Sequence, residues 1–387
     1  MERIYSENLI SDGKKFSGYV YFEKGKICAV TDRELPFDRE FNAKGMYVCP
    51  GFIDTHTHGA VGADFTFCSS EEAVRAANYH FIHGTTTIYP TTLASDYAHT
   101  DAALSVLRTA QSSKELLGEI GGAHIEGPYF APDMAGAQNP AYLTDPKEED
   151  YSRLLEKYAG FIKKWSYAPE RDHNAVFCKE LKNYGVLPSA GHTSAVYEDM
   201  LKGVKNGLRC VTHLYSCTST ITREQGFRRL GVIESAYLLD ELFVELIADG
   251  KHIPPELIKL VFKLKGADKI MLVTDSLSIA GSKEKYGELN GVPYIVEDGV
   301  AKLSDRSAFA GSIATTDRLV AQCVQAGIAI EDAICAMTYT PAKAMGLKKG
   351  SLEEGYDADF VLLSKDCTVQ RVYSGGICKF EKSEIQL

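Results

Sequence analysis

The chain has 387 residues, of which 45% are hydrophobic and 24% charged, with a formal net charge of −10. These are globular proportions, and the length suits one large domain with a small one, or two of middling size. The acidic excess, spread along the chain, argues against general binding to nucleic acid or an anionic membrane, so an anionic ligand would need a local positive pocket.

Residues 1–10 carry no apolar signal core, and no run approaches the ~18 apolar residues of a membrane span. A cytoplasmic enzyme with no membrane or nucleic-acid partner is expected. Ten cysteines are present, but none forms a C-x-x-C pair. Cys178 in AVFC and Cys210 in LRCVTH sit in apolar runs, which reads as buried reduced thiols.

The first fifty residues alternate as short strands, with a break at Lys24-Gly25. Eight apolar strand candidates follow at residues 47–58, 84–90, 121–128, 162–170, 185–193, 208–216, 243–252 and 269–276. Helical patterns such as SSEEAVRAANYHFIH, NAVFCKELKNYG, SAVYEDMLKGVKNG and PPELIKLVFKLKG lie between them. This alternation predicts an α/β fold, a (β/α)8 TIM barrel, with a doubly wound sheet as the alternative. Residues 288–312 interrupt the rhythm and read as an inserted hairpin. The last thirty-five residues return to strands in DADFVLL and VQRVYSGGICKF. Both termini are therefore expected to build one small discontinuous β-sandwich domain from 1–49 and 348–387, beside a barrel over 50–347.

Chemistry in such a barrel sits at the C-terminal ends of the strands. His56 and His58 end the first strand two residues apart, so both can face inward. Further polar residues fall at later strand ends: His124 and Glu126, His192, His213, His252 and Asp275. Imidazole and carboxylate are the donors expected for zinc or a related divalent ion. His80 and His83 lie in a helical pattern and are not expected to be ligands. His124 fits a role behind the ligands at least as well as among them.

The segments PGFIDTHTHG, HIEGPY, GAQNP, YAPE, AGHTSA, THLYS, TREQG, ADGKH, LVTDS and TPAKAMGL run from Pro50 to about Leu347. GSLEEGYDADFVLL lies beyond them. Together they resemble the N-acetylglucosamine-6-phosphate deacetylases of the amidohydrolase superfamily. H-x-E-G-P with GH and THLY is specific to that group, whereas H-x-H is shared across the superfamily. The resemblance implies one or two divalent ions, with zinc favoured and iron, manganese or cobalt compatible. Glu126, His192 and His213 resemble the main ligands. His56, His58 and Asp275 resemble the holders of a second ion, with Glu126 bridging. No lysine stands at an obvious bridging position, which weighs against relatives that use a modified lysine.

The implied reaction is hydrolysis of the acetamide of N-acetylglucosamine 6-phosphate, with Asp275 taking a proton from water and returning it to the departing amine. The resemblance also implies substrate contacts from Gln138, Ser216, Cys217, Arg223 and His252. Arg223 resembles an arginine that commonly reaches the phosphate from a neighbouring subunit, which implies a homodimer. Three departures touch substrate binding. Gln138 stands where the group has histidine, Ser216-Cys217-Thr218 replaces Asn-Ala-Met, and REQG replaces REPG. A deacetylase of a related acylamino sugar phosphate, such as N-acetylgalactosamine 6-phosphate, is the alternative. A non-catalytic scaffold is a distant third.

Overall fold

The structure, a computed structural model, describes residues 1–382. Residues 383–387, the end of the expected second part of the small domain, lie outside them. Eight parallel strands form the barrel: Phe52–Thr57, Thr85–Thr92, Ala123–Glu126, Ile162–Tyr167, Leu187–Ala190, Cys210–Val211, Phe243–Leu246 and Ile270–Leu272. Each pairs with the next in sequence. The ring closes just beyond the last strand, where the Asp275 N–H donates to the His56 carbonyl at 2.8 Å and the His58 N–H to Ser276 at 2.8 Å. This is the expected (β/α)8 architecture.

Helices take the expected places between strands. Ser70–Phe81 begins with a capping box: the Ser69 hydroxyl accepts the Glu72 N–H, and the Glu72 carboxylate accepts the Ser69 N–H. That pair satisfies two amides the first turn leaves unbonded. Val176–Asn183, Tyr197–Asn206 and Pro255–Lys265 cover the later strands. Among the described residues, no helix is long and apolar enough to cross a membrane.

Several strands are shorter than their apolar runs suggest. The run over 47–58 divides at Gly51, with Tyr47–Pro50 joining the terminal sheet and Phe52–Thr57 the barrel. A Cβ on Gly51 would lie 2.0 Å from the Thr86 hydroxyl, so only glycine lets the chain pass there. Strands five, six and eight stop before His192, His213 and Asp275, which have φ of +46°, +29° and +47°. A left-handed residue breaks the pleat, so these three side chains stand on the first loop residues beyond the strands.

Strands from both ends of the chain make one eight-stranded sheet. Its strand Phe360–Leu363 shows the period of two. Phe360 and Leu362 enter the sheet's own core with Ile4, Leu9 and Val20, while Val361 and Leu363 join the barrel core. Lys349 ties the two parts together, its ammonium lying 2.9 Å from Glu119, 3.0 Å from Asp357 and 2.8 Å from Asp359. Burial would lower its pKa, but Asp359 and Glu119 raise it.

The insertion is larger than a hairpin. Tyr286–Leu289, Val292–Glu297, Val300–Leu303 and Phe309–Gly311 form a four-stranded antiparallel sheet.

Replacing Lys349 with methionine strands three carboxylates around one apolar chain. It is expected to cost about 2–3 kcal/mol, below the range for a fully buried pair because the site is partly exposed. Urea unfolding checks this: the midpoint falls with an unchanged slope. An unchanged midpoint contradicts the clamp.

Candidate active site

Six of the predicted residues meet at the barrel mouth. The Glu126 carboxylate sits at their centre. Its Oε1 lies 3.1 Å from His213 Nε2 and 3.4 Å from both His56 Nε2 and His192 Nε2. Its Oε2 lies 3.2 Å from His58 Nε2. Asp275 Oδ1 faces the same pair of rings, 3.4 Å from His56 Nε2 and 3.2 Å from His58 Nε2. All six are buried.

Two sets of donors, each compact enough to hold an ion, share Glu126: His56 with His58, and His192 with His213. The second nitrogen of three rings is already engaged. His56 Nδ1 meets Glu245 at 3.0 Å, His192 Nδ1 the Met134 carbonyl at 2.9 Å, and His213 Nδ1 the Ser216 carbonyl at 3.1 Å. A donor N–H on that side leaves a lone pair on Nε2, the tautomer a metal ligand needs. Among the described residues, buried His56 Nε2 and His58 Nδ1 have no hydrogen-bond partner. Imidazole and carboxylate in this arrangement fit a divalent cation.

The electrostatics agree. Burial alone would lower His56, yet Glu126, Asp275 and Glu245 raise it to about 9. Burial is likewise overcome at His58, where hydrogen bonds to Asp275 and Glu126 raise it to about 10. Burial would raise Glu126, but the surrounding imidazoles, His56 foremost, hold it well below the usual range. The site attracts positive charge.

A cavity of about 240 Å³ opens over this cluster. Gln138, Ser216, Cys217 and His252 line it, with Leu289 and Phe309 from the inserted sheet. His252 is held by Asp249 at 2.9 Å through Nδ1 and packs its ring 4.9 Å from Phe309. Arg223 is not among the lining residues. It is exposed on a hairpin, Thr222–Glu224 against Phe227–Arg229, where Phe227 is 77% exposed.

His124 stays behind the histidine–carboxylate cluster. Its nitrogens meet Thr91 at 3.1 Å and Ser166 at 2.8 Å, and burial keeps its pKa well below the usual value. His80 bonds the Gly59 carbonyl at 3.0 Å, and burial lowers it to about 4. His83 pairs with Asp317.

Sequence reasoning passed over Glu245 and Lys164, both fully buried inside the barrel. The Lys164 ammonium donates to Glu245, which also receives the Thr55 hydroxyl and the His213 N–H, each at 3.3 Å. Glu245, on the seventh strand, thus joins the first and fourth strands and the loop after the sixth beneath the histidine–carboxylate cluster. The available signal was a charge within an apolar strand run, FVEL and IKKW, because such residues are rarely buried unless paired.

The chain belongs to the amidohydrolase family, whose model matches residues 47–378, and the fold and donor set agree with that class of metal-dependent hydrolases. Within it, the chain falls with the N-acetylglucosamine-6-phosphate deacetylases. The Bacillus subtilis (strain 168) protein of that name is 34% identical over 367 residues, covering 91% of this chain and 90% of the relative. A Mycobacterium smegmatis N-acetyl-D-glucosamine-6-phosphate deacetylase mutant, in complex with N-acetyl-D-glucosamine-6-phosphate, matches with a TM-score of 0.90 at 26% identity. That match covers 97% of this chain and 98% of the other. An N-acetylgalactosamine-6-phosphate deacetylase from Shewanella sp. (strain ANA-3) is 28% identical over 84% of this chain and 81% of its own.

Glu245→Gln leaves the Lys164 charge buried without its counter-ion and is expected to cost about 3–5 kcal/mol. Adding Lys164→Met restores part of that loss. Chemical unfolding of the metal-stripped proteins checks the pair; a double variant no more stable than Glu245→Gln alone contradicts it.

Proposed function

We infer that this chain hydrolyses the acetamide of N-acetylglucosamine 6-phosphate to glucosamine 6-phosphate and acetate. The observation that carries the reading is the meeting of Glu126, four histidines and Asp275 under one cavity, in a chain of this family. Residues 50–347 serve as the catalytic domain, and 1–49 with 348–387 as the β domain. Glu126, His192 and His213 would hold one divalent ion, and His56, His58 and Asp275 beside Glu126 would hold a second. Zinc suits these donors, as do iron, manganese and cobalt.

When bound, the ion supplies Lewis acidity that polarises an amide carbonyl and makes water acidic near neutral pH. The protein supplies the rest. Asp275 is kept ionised against burial by His56 and His58, so its carboxylate accepts the proton of the attacking water. It then returns that proton to the amine nitrogen, which would be a poor leaving group without it. Gln138 offers an uncharged N–H to the substrate carbonyl. Ser216 and Cys217 shape the wall, and the cavity excludes bulk water from the reacting bond.

His252 contacts the sugar phosphate. Arg223 grips the phosphate from a neighbouring subunit, in line with its exposed place away from its own cavity, so the working form is a homodimer. A guanidinium offers phosphate two parallel hydrogen bonds, which suits an otherwise acidic protein. The setting is the cytoplasm.

N-acetylgalactosamine 6-phosphate is the second reading, favoured by the Shewanella relative and by the departures at Gln138 and Ser216-Cys217-Thr218, of which Gln138, Ser216 and Cys217 line the cavity. Primary-amine release from the two sugar phosphates separates them. The first reading expects faster release from the glucosamine derivative, loss with chelator, and a fall of about 10²–10⁴ in kcat for Asp275→Asn. Preference for the galactosamine derivative moves the assignment to the second sugar. No release from either, with metal bound, sinks both.

A further inference from the structure

Glu126 is steered from the rim of the pocket as well as by the rings around it. The Gln138 amide is fixed at both ends: its Nε2 donates to Glu126 Oε2 at 2.6 Å, and its Oε1 accepts the Ala94 N–H at 2.9 Å. With the amide so oriented, the second Nε2 hydrogen remains free on a residue lining the cavity. The other side of the Ala94 peptide region is held by the inserted sheet. Asn290 Nδ2 donates to the Ala94 carbonyl at 3.0 Å and to the Ser95 hydroxyl at 3.3 Å. Asn139, next to Gln138, donates to the Asn290 carbonyl at 2.9 Å.

Asn290 is built for this position. With Gly291 it forms the two-residue turn between Tyr286–Leu289 and Val292–Glu297, at φ of +45° and +88°. An Asn-Gly pair is the preferred sequence for a tight hairpin turn with both residues left-handed. A Cβ on Gly291 would stand 3.4 Å from Asn139 Nδ2, so the turn sits close against the loop. Leu289, just before the turn, lines the cavity.

We propose that Asn290, Ala94 and Gln138 form a positioning relay that sets the Glu126 carboxylate, so that the sheet walling the substrate pocket also tunes the metal centre. The relay rests on the reading of Glu126 as a metal ligand. It acts because a carboxylate shared by two sets of donors must present each oxygen to its own side. Gln138 holds Oε2 on the His58 side and leaves Oε1 to His192 and His213. The hydrogen bonds behind a ligand typically govern 10–100-fold in metal affinity.

The test is Zn2+ affinity, measured by competition with a chromophoric chelator in a double-mutant cycle. Asn290→Gly keeps the left-handed turn and removes the side chain. It is expected to weaken Zn2+ about tenfold, and Gln138→Leu between about 10- and 100-fold. The double variant is expected to be no weaker than Gln138→Leu alone, because the second lesion cuts a relay already broken. Gln138→His, which can still donate to Glu126, restores affinity relative to Gln138→Leu. Losses that multiply in the double variant, or an Asn290→Gly affinity equal to wild type, overturn the relay while leaving the metal site standing. A wild type with no Zn2+ affinity that His192→Asn abolishes overturns the metal reading and the relay together.

Discussion

One carboxylate placed among four imidazoles sets the terms for the rest of the molecule. Four histidine Nε2 atoms lie 3.1 to 3.4 Å from the Glu126 carboxylate, which is itself buried. A buried carboxylate is costly unless positive charge compensates it. Here imidazoles of the first, fifth and sixth βα units surround it, a donor set that suits a divalent cation beside the carboxylate. The barrel must therefore bring distant parts of the sequence to one point, and its parallel strands do so because every C-terminal end faces the same way.

The rigidity behind that point comes from below. Glu245 and Lys164 form a buried charged pair under the histidine–carboxylate cluster, and Glu245 fixes His56 through Nδ1. Asp54, in the same layer, accepts the Thr274 hydroxyl at 2.6 Å and helps close the first strand on the last. Burial pushes Asp54 up to about 6 against these hydrogen bonds. These groups never reach the cavity. They decide which nitrogen of His56 faces it, and so couple the stability of the barrel to the chemistry at its mouth. Left-handed backbone at His192, His213 and Asp275 adds a local cost that the surrounding bonds hold in place.

Much of this was legible in the sequence. Period-two alternation placed His56 and His58 together, and strand-end position singled out Glu126, His192, His213 and Asp275. The exact strand ends were not legible. Apolar runs continue through 208–216, yet the sixth strand ends at Val211 because the positive φ of His213 leaves no pleat to continue. The division at Gly51 was hidden for a similar reason, since it follows from a contact with Thr86 that no local pattern encodes. Glu245 and Lys164 were visible as charges in apolar strands, but their partnership depends on the fourth strand facing the seventh across the barrel. Arg223 stands apart from its own chain's cavity, a placement on an exposed hairpin that no local sequence pattern encodes.

The most direct test of the shared-carboxylate account is anomalous X-ray scattering from crystals of the metal-loaded protein, recorded at the absorption edge of the added ion. The account predicts a peak coordinated jointly by Glu126, His192 and His213, with any second peak touching Glu126 from the side of His56 and His58. A bound ion away from Glu126, with the carboxylate still hydrogen-bonded among its four imidazoles, would contradict it.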